Sequence, residues 1–132
     1  MQNLVQIALV VDDYDEAIAF YTRKLGFTLI EDTVLSDTKR WVKVMPKGST
    51  GCCLLLAKAA NEAQKSRVGN QTGGRVFLFL HTDDFEADYK NLVDNKVTIV
   101  RSPVSETWGK VLVFADLYGN LWDLIEPVKI EN

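Results

Sequence analysis

Three polar side chains lie in stretches that otherwise favour strands, and they are the residues best placed to do chemistry. Gln6 lies inside "LVQIALVV", Asp123 lies inside "LWDLIEP", and His81 ends "RVFLFLH". His81 is the only histidine, and a lone histidine at a strand end does not assemble a Ser/His/Asp or Cys/His arrangement. The sequence therefore offers Asp123 as an acid–base group, with His81 as the second candidate catalytic residue.

Composition restricts the class of protein before any motif is considered. The 132 residues suggest a single domain, 1–132, with 47 % hydrophobic and 25 % charged residues and a net charge of −3. This acidic balance argues against a nucleic-acid partner, and no run approaches the ~20 apolar residues of a membrane helix. The N-terminus shows no basic region of a signal peptide. Cys52 and Cys53 are adjacent rather than in a CxxC motif, which fits two packing residues in a cytoplasmic protein.

Strand and helix patterns alternate along the chain. In the first helix, Tyr14, Ile18, Tyr21 and Leu25 form one apolar stripe, which follows a helix-capping aspartate at position 13. The runs that favour strands are "LVQIALVV", "FTLIED", "RWVKVM", "GCCLLLA", "RVFLFLH", "VTIVRSP", "KVLVFAD" and "LWDLIEP". These runs divide into two groups of four, each with a helical pattern after its first strand.

The two halves repeat each other. A shift of about 71 residues places "DDY" on "DDF", and a shift of about 68 near the ends places Gly51 on Gly119. The repeats are residues 4–58 and 75–127, joined by a polar connection at 59–74. The predicted fold class is therefore α+β, with two βαβββ units forming a cup-shaped mixed sheet.

Period-2 alternation assigns strand side chains to faces. Val42 and Val44 form the apolar side of their strand, which leaves Trp41 and Lys43 facing the cup or solvent. The same argument places Asp123 toward the cup and its neighbouring tryptophan behind it. The aromatic residues Phe79 and Trp108 are further candidate ligand contacts. Arg40 and Arg75 flank strands, where each is either a solvated charge or a partner for an anionic ligand.

Two segments of the sequence resemble those of a known family. "DDYDEAIAFYTRKLGF" is similar to the first-helix signature of the vicinal oxygen chelate superfamily, and "FADLYGNLWDLIEP" is similar to its closing hairpin. The superfamily includes glyoxalase I, extradiol dioxygenases, fosfomycin-inactivating transferases and bleomycin-resistance proteins. The likeness spans Val5 to Pro127 and specifies the fold better than the reaction.

The resemblance implies four metal-ligand positions, two in each half. They fall on Gln6, Leu55, Phe77 and Asp123. Leu55 and Phe77 carry no donor atom, and an amide with a single carboxylate is a weak set for zinc, nickel or iron. We therefore expect no metal ligands of the family type and no cofactor, a divalent metal being disfavoured. Gln6 and Asp123 would instead form a polar pair in an apolar cup, either structural or as a ligand anchor.

Three functions remain open at this stage. The first is a metal-free protein that binds a small, partly apolar molecule, through Gln6, Trp41, Lys43, Leu55, Phe77, Phe79, Trp108 and Asp123. The alternative is a superfamily enzyme with an altered metal site, either a lyase like glyoxalase or an oxidoreductase like the dioxygenases. The third is a structural partner domain with an unused cup. The resemblance also implies a homodimer.

Overall fold

The computed structural model describes residues 1–129, and the chain forms two compact units, Met1–Gln71 and Thr72–Asn132. Each unit contains one four-stranded mixed sheet and a helix that follows its first strand. The α+β class with two repeated βαβββ units is confirmed.

The first unit has the strand order β1-β4-β3-β2, in which β1 and β4 are parallel and the other pairs are antiparallel. Its elements are β1 (Gln6–Val11), α1 (Tyr14–Ala19), a π-helical continuation (Phe20–Lys24), β2 (Thr28–Val34), β3 (Arg40–Met45), β4 (Cys53–Lys58) and α2 (Glu62–Lys65). The short helix α2 lies in the predicted connection.

The second unit repeats this arrangement with the order β5-β8-β7-β6, and β5 and β8 are its parallel pair. Its elements are β5 (Val76–His81), α3 (Phe85–Asp94), β6 (Ile99–Glu106), β7 (Gly109–Ala115) and β8 (Leu121–Pro127).

Strand register reproduces the sequence repeat. Ala8 pairs with Leu55 in the first sheet, and Phe79 pairs with Asp123 in the second. A shift of 71 residues takes Ala8 to Phe79, and a shift of 68 takes Leu55 to Asp123. Leu55 and Asp123 therefore occupy matching places. Each lies on the strand of its unit that comes last along the chain, and each pairs with a residue of the strand that comes first.

The helices begin at capping aspartates, as the sequence predicts. The Asp13 carboxylate accepts a hydrogen bond from the Glu16 N–H at 2.8 Å, and Asp84 caps α3 in the same way. The first helix differs from prediction in its second half, which widens into a π-helical turn. Such a turn fits an extra residue into the helix, so the adjacent Phe20 and Tyr21 are both buried.

The most deeply buried strand side chains of each unit lie on one face of its sheet. Leu9, Val42, Val44 and Leu56 are fully buried on the side covered by α1. In the second unit, Trp122 is buried and stacks on Phe114 with ring centroids 5.7 Å apart. The alternation of the strands places the candidate functional side chains on the opposite face of each sheet, which we call the open face.

Candidate functional site

The open face of the first sheet carries the candidates of the first half. Gln6 pairs with Cys53 and Ala8 pairs with Leu55, so Gln6 and Leu55 share a face but lie two register positions apart along the strands. Lys43 is opposite Leu55 on the other side of β4. The structure therefore brings Leu55 and Lys43 together, with Gln6 displaced toward the start of β1.

Trp41 and Lys43 are half-buried on this open face, as the alternation predicts. The Lys43 ammonium lies 5.7 Å from the centroid of the Trp41 ring, within the range of a cation–π contact. Its Nζ is also 3.5 Å from a carboxylate oxygen of Glu31. Lys43 therefore lies over the Trp41 ring and has Glu31 as its carboxylate partner.

A cavity of about 630 Å³ opens beside Trp41. Trp41, Leu55 and Ala57 supply its wall from the open face, and Tyr14 contributes from the start of α1. Because β3 and β4 are antiparallel, the first residues of β3 lie beside the last residues of β4. The chain that continues from β4 to Gln64 completes the lining. The volume is within the usual range for a small-molecule site.

Several residues around this cavity were not among the predicted site residues. Lys39 precedes β3, Lys58 ends β4, and Gln64 belongs to α2. The two lysines could have been found from the strand ends in "TKRW" and "LLLAKAA", had the β3–β4 pairing been considered. No sequence pattern placed Gln64 near the cavity, because its position depends on the path of the chain through the connection at 59–74.

Arg40 also lines this cavity, but its charge is paired with carboxylates of the protein. Its guanidinium forms ion pairs with Asp32 at 2.7 Å and Asp15 at 2.9 Å, and lies 5.2 Å from the centroid of the Tyr14 ring. The Arg40 hydrogen bond keeps the pKa of Asp32 below its ordinary value. Arg40 therefore ties α1 to β2 and β3, which differs from both roles considered from the sequence.

Asp123 lies in the middle of the open face of the second sheet. Phe79 is its neighbour on β5 and Val113 its neighbour on β7, with Arg101 next to Val113 on β6. Burial raises the pKa of the Asp123 carboxyl, and the positive charge of Arg101 offsets part of that effect. Asp123 is thus a half-buried carboxylate whose charged form is poorly solvated.

We expect Asp123→Asn to raise the free energy of unfolding at pH 7 by less than about 1 kcal/mol, since the group is half-exposed and Arg101 is near. A folded-state pKa above the unfolded value means that the wild type loses stability as pH rises through those two values. The difference in the free energy of unfolding between Asp123→Asn and the wild type should therefore disappear near pH 3, where the carboxyl is protonated in both states. Urea unfolding at several pH values measures this difference. Asp37→Asn, in an exposed loop, controls for net charge, and a gap of constant size would contradict the prediction.

The remaining candidates of the second half are spread along its sheet. Phe79 is 64 % exposed, and His81, two residues further on, is exposed at the end of β5. Trp108 lies in the turn between β6 and β7 and is 52 % exposed. The β5–β8 register shifts between Val76 and Leu78, so Phe77 is an extra residue at a bulge. The structure thus brings Phe79 beside Asp123, and leaves Trp108 outside the strands.

The four positions implied by the resemblance do not fit the family's metal. Leu55 and Phe77 have no donor atoms, Gln6 offers an amide oxygen, and Asp123 offers one carboxylate. Within residues 1–129, no three side chains of His, Cys, Asp or Glu gather as a metal-binding group would. Gln6 belongs to the first unit and Asp123 to the second, so their pairing stays a prediction.

Fold and sequence together define the class of this protein. Residues 3–124 match the model of the Glyoxalase/Bleomycin resistance protein/Dioxygenase superfamily, and the chain belongs to that family.

Its relatives cover nearly the whole chain. An uncharacterized protein of Shewanella frigidimarina (strain NCIMB 400) is 56 % identical over 126 residues, which cover 95 % of this chain and 93 % of that protein. The crystal structure of UcmS2 is 30 % identical with a TM-score of 0.83, covering 96 % of this chain and 98 % of that one. TnmS3, an antibiotic binding protein from Streptomyces sp. CB03234, is 28 % identical with a TM-score of 0.77, covering 97 % and 98 %.

The helices found between residues 1 and 129 are too short or too polar to cross a lipid bilayer.

Proposed function

We propose that this protein binds a small, partly apolar molecule against the open face of its first sheet, without a metal ion at the ligand positions that the family resemblance implies. The observation that carries the proposal is the cavity of about 630 Å³ walled by Trp41, Leu55 and Ala57. Leu55 occupies one of the positions that the family resemblance assigns to a metal ligand. An apolar side chain at that position favours contact with a ligand over coordination of an ion.

Two further observations support binding. TnmS3, which shares this fold over nearly the whole chain, is described as an antibiotic binding protein. The Trp41 ring is held in place by Lys43, which is in turn paired with Glu31. A fixed aromatic surface loses little conformational entropy when a flat ligand stacks on it. A homodimer in the cytoplasm, with no nucleic-acid partner, is the remaining part of the proposal.

The second candidate function is a superfamily enzyme with an altered metal site, a lyase or an oxidoreductase. One observation favours it, the half-buried Asp123 whose pKa is raised by desolvation. A carboxylate of this kind is suited to accept a proton from a bound substrate. In this alternative, Asp123 is the acid–base residue and His81 assists it from the end of the neighbouring strand.

Filling the cavity tests the binding proposal. Ala57 is half-buried in the cavity wall, so Ala57→Phe should weaken binding of the flat, neutral probe N-phenyl-1-naphthylamine by about tenfold or more, because its ring takes the space of the ligand. Quenching of tryptophan fluorescence measures the affinity. Ala63→Phe is the matched control, since Ala63 is exposed on α2. Thermal melts verify that both variants fold, and equal affinities in the two variants would count against this site.

Metal analysis separates the two functions. Protein purified without an affinity tag should contain clearly less than one divalent ion per chain, because two of the four family positions lack donors. Plasma emission spectrometry of the wild type and of Asp123→Asn makes the measurement. One ion per chain that disappears in the variant would favour the enzyme.

A further inference from the structure

The charged residues that line the first-unit cavity are all cations. Its lining contains the three cations Lys39, Arg40 and Lys58 and no aspartate or glutamate. The chain as a whole carries a net charge of −3, so the lining departs from the overall balance. Clefts lined by one sign of charge raise the local concentration of oppositely charged ligands.

The two lysines are the cations available to a ligand. Arg40 is held by two carboxylates, as described above. Between residues 1 and 129, no carboxylate lies within 4.0 Å of the ammonium of Lys39 or Lys58. Both residues are exposed, and both line the cavity. Among the described residues, neither ammonium group therefore forms an ion pair with a carboxylate of the protein.

A neutral donor lies on the same lining. The Oε1 atom of Gln64 accepts a hydrogen bond from the Ala60 N–H at 2.7 Å. This bond fixes the orientation of the amide, whose Nε2 can only donate. The lining thus combines the apolar residues Trp41 and Leu55 with two lysines and one glutamine.

We propose that the ligand of this cavity is an amphiphilic anion, a flat apolar or aromatic body that carries a carboxylate or sulfonate. The apolar body lies along Trp41 and Leu55, and the anionic group lies at the edge of the cavity where β3 begins and β4 ends, near Lys39 and Lys58. This proposal rests on the proposed function, because it names the class of molecule taken by the same site.

Two probes that differ by one sulfonate test the proposal. 8-Anilino-1-naphthalenesulfonate carries the anionic group, and N-phenyl-1-naphthylamine is its neutral counterpart. Both are titrated into the wild-type protein, Lys39→Gln/Lys58→Gln and the matched control Lys47→Gln/Lys129→Gln. The control removes the same charge at two lysines that lie outside this cavity.

We expect the sulfonate probe to bind the wild type more tightly than the neutral probe. The Lys39→Gln/Lys58→Gln variant should lose about tenfold in affinity for the sulfonate probe alone, as expected for two exposed ion pairs. The control should stay within about twofold, and added salt should weaken only the sulfonate probe.

Two other results would overturn the inference. The first leaves the proposed function standing, and the second overturns it as well. If the Lys39→Gln/Lys58→Gln variant binds both probes like the wild type while Ala57→Phe still weakens the neutral probe, the ligand is not anionic and the proposed function stands. If Ala57→Phe changes neither affinity, the cavity is not the binding site, and both proposals fail.

Discussion

Replacing Gly109 by alanine is expected to destabilise the second unit by about 3 kcal/mol. Gly109 begins β7 with a φ of +153°, a backbone conformation that residues with a side chain rarely adopt. A Cβ atom built there would lie 2.4 Å from the backbone oxygen of Glu126 and 3.1 Å from the Cα of Pro127. Neither of these backbone atoms can turn aside as a side chain would, so β7 and β8 must separate at this end of the sheet.

Urea denaturation of the Gly109→Ala variant measures this loss of stability. Gly73→Ala is the matched control, because Gly73 also has a positive φ, +72°, but no atom within 4 Å of a built Cβ. It should cost only the backbone strain, about 1 kcal/mol. Similar losses in the two variants would mean that the close approach of β7 and β8 is not what requires glycine at position 109.

The second large effect is expected at Asp116, where Asp116→Ala should also cost about 3 kcal/mol. Its buried carboxylate holds the turn between β7 and β8 together. One oxygen accepts the backbone N–H groups of Tyr118, Gly119 and Asn120 at 2.9 to 3.0 Å. The other accepts the Asn120 side-chain amide at 3.0 Å. Alanine would leave these donors without their acceptor in a place that water reaches poorly.

Asp116→Asn provides the graded comparison for this prediction. Its Oδ1 atom can still accept the three backbone N–H groups, but its amide would face the Asn120 amide as donor to donor. Thermal melts should therefore place it between the wild type and Asp116→Ala. A loss of under about 0.5 kcal/mol in Asp116→Ala would contradict the role given to this carboxylate.

The fold was predictable because its signals are local and repeated. Alternation along "RWVKVM" assigned Val42 and Val44 to the core, and both are fully buried. The shift between the halves gave the matching places of Leu55 and Asp123, which the strand register reproduces. The segment "FADLYGNLWDLIEP" resembles a closing hairpin, and the hydrogen bonds of Asp116 give the physical reason for its turn.

The candidate site was less predictable because its surroundings are not local in sequence. The cavity depends on the pairing that brings the start of β3 beside the end of β4, and on the path of the chain to Gln64. The ion pairs of Arg40 join residues 8 and 25 positions apart in the sequence. The bulge at Phe77 was not predicted either, because period-2 alternation carries no signal for an extra residue in a strand. The roles of the predicted site residues remain predictions.

The most direct test of metal-free binding at the first sheet is a ¹H–¹⁵N NMR titration of chelator-treated protein with N-phenyl-1-naphthylamine. We predict that the amides of Trp41, Leu55 and Ala57 and the indole N–H of Trp41 shift in a saturable way with the chelator present. No binding until a divalent ion is restored, or shifts confined to the amides around Phe79 and Asp123, would contradict the account.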